Sequence, residues 1–255
     1  MDQPIIKDTS ALKLIKTVAN VNQDKVQVEQ KTPAKIEIHP SLASGLSKLS
    51  KCHLNTEENI LLLEAKPKEA YIIASALEEL KDEKLITDLR EVFKKHPESA
   101  LDIAKVLTLL QRHNLLTEDN LTTFKSNKKH LTEAYFVHEI LKKLETLKKE
   151  EKPYLVTQGN FKAICENIQY ATQICSLMNK LVSLDQTIFD KIMKFADNAG
   201  CIATRLTVNK TNHQEFFGDT NRFNLIIDEL TYPITESAEA TLESDSEIES
   251  PRLGR

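Results

Sequence analysis

The chain has 255 residues, of which five are glycine, eight proline and none tryptophan; 28% are charged and 5% aromatic. Average glycine usage is roughly 7%, about three times what is found here. The sequence contains neither G-x-G-x-x-G nor G-x-x-x-x-G-K-S/T, which disfavours a Rossmann or P-loop enzyme and favours a mostly helical protein, since helices need glycine only at their ends. The formal net charge is −4. Residues 236–255 carry all of it, with six acids and two bases, and the remaining 32 acids and 32 bases balance. A body neutral overall argues against general nucleic-acid binding, which needs a basic face.

In chain order, residues 1–40 form a mixed N-terminal segment, partly ordered or mobile. Residues 9–20 suit a short amphipathic helix capped by Thr9 or Ser10. Lys25-Val26-Gln27-Val28-Glu29 and Lys35-Ile36-Glu37-Ile38 alternate as short strands do. No apolar run reaches the length of a membrane span, and no secretory h-region is present near residue 1. A soluble protein without a cleavable signal peptide is expected.

From residue 41 the chain becomes helical and repeats. Leu-x-Thr followed by an apolar run occurs at Leu54-Asn55-Thr56, Leu85-Ile86-Thr87, Leu115-Leu116-Thr117 and Leu155-Val156-Thr157, with the leucines 31, 30 and 40 residues apart. Threonine is a good N-cap, because its hydroxyl accepts from an otherwise unpaired first-turn N–H. The acids that follow it (Glu57, Glu58, Asp88, Glu118, Asp119) suit the positive end of the helix dipole. Asn59, Asn120 and Asn160 recur three residues after the threonine, where they complete the first helical turn. The second copy has Arg90 at that place.

About eleven residues after each leading leucine comes a break, at Lys66-Pro67, His96-Pro97, Ser126-Asn127 and Asn167. Each unit therefore reads as a short helix, a tight turn and a longer helix. The longer helices are expected over about 67–82, 97–113, 128–149 and 168–182. Each carries a small residue at one place (Ala70, Ala100, Ala134, Ala171). Large ones follow seven residues later (Leu77, Leu107, Leu141, Met178) and again after three more (Leu80, Leu110, Leu144, Leu181), all on one face.

Residues 177–206 read as a degenerate fifth unit. The 40-residue spacing is an insertion at 148–153. The fold class expected is all-α, with helical hairpin repeats over 41–206 stacked as a short α-solenoid. A cap over 207–234, built as a helix or strand around Phe216, Phe217, Phe223 and Leu225-Ile226-Ile227, and a disordered acidic tail over 235–255 complete the chain. Of the glycines, Gly45 and Gly159 fall near expected helix starts.

Few residues suggest chemistry. His138-Glu139 begins like a zinc-protease helix, but position 142 is Lys142, not a second histidine. Cys52, Cys165, Cys175 and Cys201 form no C-x-x-C and no zinc-ligand spacing, so free cysteines in a reducing compartment are expected. A nucleophilic Cys165 served by His130, His138 or His213 is the enzymatic alternative. The stretch 125–152 holds eight lysines against five acids. Lys125, Lys128, Lys129, Lys142, Lys143, Lys148 and Lys149 are candidates for a basic contact face toward an acidic partner or, weakly, anionic lipid, against the simpler reading of a solvated face with Glu139–Lys143 and Glu145–Lys149 pairs. No cofactor and no metal is expected.

Leu115-Leu116-Thr117-Glu118-Asp119-Asn120-Leu121 resembles the LLT-x-x-N-F helical repeats of secreted effectors of Legionella and its relatives. The copy ending in Asn160-Phe161 resembles them more closely. The tail residues Glu236, Glu239, Glu243, Asp245, Glu247 and Glu249, with the apolar Leu253 near the end, resemble the glutamate-rich block read by the Dot/Icm type IV secretion system. The resemblance implies export from the bacterial cytoplasm into a host cytosol through type IV secretion machinery, and action on a host protein. It implies no enzymatic activity, because such repeats accompany many functions.

Overall fold

A computed structural model describes residues 38–146, 155–181, 183–207 and 220–231. Among these residues the chain is all helical. The 1–37 part of the N-terminal segment, most of 207–234, the whole tail 235–255, and Lys148 and Lys149 lie outside the described residues.

Helix α1 (Pro40–Lys51) comes first. Five units follow: α2 (Glu57–Ala65) with α3 (Ala70–Leu80); α4 (Glu83–Lys95) with α5 (Ala100–Arg112); α6 (Glu118–Ser126) with α7 (Lys128–Thr132) and α8 (Ala134–Thr146); α9 (Gln158–Glu166) with α10 (Ala171–Lys180); and α11 (Gln186–Lys194) with α12 (Ala199–Thr207). Helix α13 (Thr220–Thr231) closes the order, and its buried Phe223, Ile226 and Ile227 lie on one face while Leu225 points to solvent.

The short helices start where cap chemistry dictates. Thr56, Thr117 and Thr157 each accept through Oγ1 from the backbone N–H of the asparagine three residues on, at 3.4, 3.2 and 3.2 Å. In the fifth unit Asp185 Oδ1 accepts from Ile188 N at 2.9 Å.

The second unit departs from the expected register. Its cap is Asp82, whose Oδ1 accepts from Leu85 N at 2.9 Å. Thr87 lies inside α4 and donates to the Glu83 carbonyl. Asp82 is the stronger cap and sits one turn upstream, so α4 runs 13 residues where the other short helices run nine.

The long helices are shorter than expected. Short 3-10 turns at Pro97–Ser99, Ile168–Tyr170 and Ala196–Asn198 precede the α-helical part, and the 128–149 span is divided at Glu133 between α7 and α8. The physical reason is the alanine at the first helical position. Ala70, Ala100, Ala134, Ala171 and Ala199 are all fully buried or nearly so, and the chain must tighten before each to seat it.

The long helices pack against one another in sequence, α1 on α3, then α5, α8, α10, α12 and α13. From α1 to α12 they run in the same direction, and α13 runs back along α12, its Arg222 donating to the Arg205 carbonyl near the end of α12. Ser41 Oγ accepts from Tyr71 N at 3.1 Å near one end of α1 and α3, and Lys48 reaches Glu78 at 2.6 Å near the other. Polar ties recur at the C-terminal ends: Thr108 to the Glu79 carbonyl, Arg112 to Glu145, and Lys180 to Thr207. Small residues set the spacing. Gly45 lies in the middle of α1, not at its start, because Pro40 already begins the helix. A β-carbon there would stand 2.8 Å from the Ala70 carbonyl oxygen.

Buried asparagines join successive short helices. The Asn120 and Gln158 carboxamides exchange two hydrogen bonds of 2.6 Å, and Asn120 Nδ2 also donates to the Leu115 carbonyl at 2.6 Å. Asn160 and Gln186 do the same at 2.9 and 2.8 Å, with Leu155 as the carbonyl partner. Asn59 donates to the Leu54 carbonyl and accepts from Arg90 Nε at 3.3 Å. Arg90 is thus the partner of an asparagine in the preceding unit and not the replacement for one.

The low glycine count has a further explanation. Helices α1, α3 and α5 end in left-handed residues that are not glycine: His53, Lys81 and Asn114, with φ of 58°, 56° and 57°. Left-handed backbone costs a non-glycine residue about 1–2 kcal/mol. Two opposite glycine effects follow. Gly45→Ala should destabilise the chain by about 1–3 kcal/mol through overpacking. Lys81→Gly should stabilise it by about 0.5–1 kcal/mol, the relief of strain exceeding the entropy glycine adds to the unfolded chain. Urea denaturation of both variants checks the pair of signs.

Candidate interaction surface

The residue after each buried first alanine points outward. In successive long helices this position is Tyr71, Leu101 and Tyr135, then Thr172 and Gly200. Tyr71 is 49% exposed and Tyr135 50%, and Leu101 between them is half-buried. Lys48 Nζ stands 5.3 Å from the Tyr71 ring centroid, a cation–π contact. Phe136 meets Tyr135 edge-on, with centroids 5.1 Å apart. The three side chains make an apolar stripe across α3, α5 and α8, which sequence reading missed. Its signal was present as the residue following each conserved-spacing alanine, but nothing in the pattern said which way that position faces.

Charge is separated between the two edges of the stack. In the short-to-long turns of the first three units, residues 65–69, 94–98 and 125–133, seven lysines face three glutamates. In the opposite turns, residues 51–58, 81–84 and 112–119, four bases face six acids. Each sign sits at the end of the short helices whose dipole favours it; the long helices, running the other way, present the opposite end. The neutral body therefore has a basic edge and an acidic edge, with the apolar stripe one residue into the helices at the basic side.

The lysines singled out from the sequence distribute along this frame. Lys128 and Lys129 are exposed at the basic edge, and Lys125 beside them donates to the Asp88 carbonyl at 3.3 Å. Lys142 and Lys143 lie on α8, about 20 Å further along at 1.5 Å per residue; the first is exposed and the second half-buried.

The surface cleft between α1 and α3, about 520 Å³, is open and lined by Ser44, Ser47, Lys48, Cys52, Tyr71 and Glu78. At the far end of the stripe helices, burial works to raise the Glu145 carboxyl. The hydrogen bonds from Arg112 at 2.8 Å and His113 at 3.0 Å outweigh it and hold the group below the usual carboxylate range.

Cys165 is buried, and burial pushes its thiol up to about 12, so it carries no thiolate at neutral pH. His130, one of the candidate bases, is itself buried against Phe124. Its Nδ1 lies 3.0 Å from the Thr123 carbonyl and its Nε2 3.1 Å from the Cys165 carbonyl. The ring is engaged by the backbone of two units and is not offered to the thiol. His213 lies outside the described residues. Cys175 is also buried and its thiol raised by that burial; Cys52 is half-buried and Cys201 exposed, and all four cysteines are free. Among the described residues no group of three or more His, Cys, Asp or Glu side chains is placed to hold a metal, and no helix is long and apolar enough to cross a membrane.

His138 occupies the place in α8 where the other long helices have Ala74, Ala104, Cys175 and Ala203. Its Nδ1 is 3.3 Å from Glu139 Oε1, close enough for an ion pair. The geometry is not that of a hydrogen bond, and the atom is buried without a partner. Burial lowers the affinity of the ring for a proton, and the Glu139 charge only partly offsets this. The unfolded chain therefore takes up the proton first. Stability is full above the ordinary histidine value of about 6.5 and is lost as pH falls from there toward the lowered folded value. His138→Ala should flatten stability between about pH 7 and 5 relative to the parent in paired urea titrations, whereas an equal slope in both would contradict this role.

No protein-family model, curated protein or solved structure matches this chain.

Proposed function

We propose that this chain is a translocated bacterial effector that acts as an interaction module, docking a host protein on a short α-solenoid. The observation that carries the reading is the Tyr71–Leu101–Tyr135 stripe. Two tyrosines half-open to solvent, in the same register on helices one apart, are a costly feature for a surface with no partner. Tyrosine supplies large contact area at low entropy cost and is enriched at interface hot spots. The ordered packing of long helix on long helix supports the solenoid, because it turns a local register into a continuous face.

The export half of the proposal rests on the tail resemblance: Glu236, Glu239, Glu243, Asp245, Glu247, Glu249 and Leu253 as the block read by type IV secretion machinery. The enzymatic alternative through Cys165 finds no support in the buried, high-pKa thiol. The lipid alternative needs its lysines together, and Lys128 and Lys142 are several turns apart.

The two halves separate experimentally. Deleting 236–255 should abolish translocation in a reporter fusion assay while leaving the helical circular dichroism intact; unchanged translocation sinks the export claim. A photo-crosslinking residue at Tyr135 should yield a discrete adduct with host protein, lost when Tyr71→Ala is added, whereas the same probe at the exposed Thr187 of α11 should yield none. Equal labelling from both positions would refute the docking face.

A further inference from the structure

We infer that the Tyr71–Leu101–Tyr135 stripe takes an acidic segment of a partner protein in polyproline-II conformation, with an apolar side chain at every third residue. This rests on the docking face proposed above and specifies the chemistry that the face accepts.

Charge selects an acidic segment. In the turns at the basic edge of the first three units, seven lysines face three glutamates. In the same turns of the fourth and fifth units, residues 166–170 and 194–198, one lysine faces one glutamate and one aspartate. The stripe ends there too, with Thr172 and Gly200 at its position. Lys68, Lys94, Lys95, Lys128 and Lys129 are exposed, at least one in each unit that carries the stripe. The lysine excess and the apolar row are thus confined to the same three units. A ligand that uses both has anionic and apolar groups in one chain.

Spacing selects the conformation. Helices α3, α5 and α8 pack in sequence, so successive stripe residues lie one helix spacing apart, about 8–10 Å. A polyproline-II chain has three residues per turn and rises about 3.1 Å per residue, which returns a side chain to the same face every 9 Å or so, about one helix spacing. A β-strand returns one after about 7 Å and again after about 13 Å. An α-helix returns one after two turns, about 10.5 Å. The polyproline-II repeat is the one that falls within the helix spacing.

The relief of the stripe agrees. Leu101 is half-buried between two tyrosines that are 49% and 50% exposed, so it floors a trough between two aromatic walls. Polyproline-II segments dock in aromatic-lined grooves and lose little entropy in doing so. With the apolar residue of each triplet on the stripe, one of the other two faces the basic edge, and an acid there meets the lysines. A stacked nucleobase needs an open ring face. Lys48 Nζ stands 5.3 Å from the Tyr71 centroid and Phe136 meets Tyr135 edge-on, which disfavours that ligand. A flat bilayer would touch the tyrosines and miss the leucine between them.

The test is fluorescence anisotropy with the full chain and a labelled peptide built on a Leu-Pro-Glu repeat. The peptide should bind saturably at low salt, and the binding should fall at about 0.5 M salt, where separated charges are screened. A Leu-Pro-Lys repeat, and a peptide of the first composition in which leucine no longer recurs at every third residue, should each bind at least about tenfold more weakly. The same loss, about tenfold or more, is expected for the Leu-Pro-Glu peptide in the Lys95→Glu, Lys129→Glu variant and in the Tyr71→Ser, Tyr135→Ser variant. Helical circular dichroism reports that both variants are folded. Absence of binding by the Leu-Pro-Glu peptide overturns the inference, as does equal binding of either control peptide or undiminished binding in either variant. Tighter binding of a single-stranded oligonucleotide or of phosphatidylserine vesicles, lost in the tyrosine variant, would assign the stripe to that ligand and overturn it too. The Tyr135 crosslink reads the docking face whatever the partner's sequence. A crosslink to host protein without peptide binding therefore removes this inference and leaves the docking reading standing.

Discussion

A buried carboxamide sets the register of this protein. Asn120 and Asn160 each place a side chain with two donors and an acceptor in the apolar interior, and each finds a match for every group: the leucine carbonyl five residues back, and both atoms of a glutamine at the start of the next short helix. An unsatisfied buried polar group costs about 1–3 kcal/mol. The asparagine is therefore silent when the next unit is in place and expensive when it is shifted. Once the short helices are pinned to one another, their long partners are held parallel, the first-position alanines meet their neighbours, and the residue after each alanine is turned to solvent. Those carboxamide pairs tie the third unit to the fourth and the fourth to the fifth; between the first two units, which carry Tyr71 and Leu101, Asn59 and Arg90 make the link. Apolar packing supplies most of the free energy, but it is tolerant of sliding, and the carboxamides are not.

The same arrangement explains how a neutral body comes to have opposite edges. Acids follow the cap in the first turns of α2, α4 and α6, and lysines stand in the last turns of α4, α6 and α11. In a single helix this is local electrostatics. Because the stack repeats the helix without reversing it, the small dipolar preferences align. The basic edge thus brings lysines and the exposed apolar side chains together on one side of the body.

Much of this was legible in the sequence because it follows from local rules. The threonine caps, the breaks at Pro97 and Asn167, and the alanine and leucine rows occur where spacing placed them, since each depends on residues within a few positions. The departures come from competition or from distance. Asp82 captured the start of α4 because a stronger cap lay one turn upstream of Thr87, and with that turn the position of Arg90 changed meaning. Gly45 reads as a helix-start residue until the Ala70 carbonyl, 25 residues on, is seen beside it. His138 in an alanine row, and the outward tilt of Tyr71 and Tyr135, depend on which helices are neighbours. The asparagines were read as completing a helical turn, which they do through their backbone; the role of their side chains requires the next unit.

The account stands on the carboxamide junction, and a double-mutant cycle on Asn160 and Gln186 tests it most directly. Asn160→Ala, Gln186→Ala and the double variant are compared with the parent by equilibrium urea unfolding. A reciprocal pair in a buried junction predicts a coupling free energy of about 1 kcal/mol or more, with the double variant less damaged than the sum of the singles. Strict additivity would mean that the two side chains are independent, and that something other than this pairing fixes the register between the fourth and fifth units.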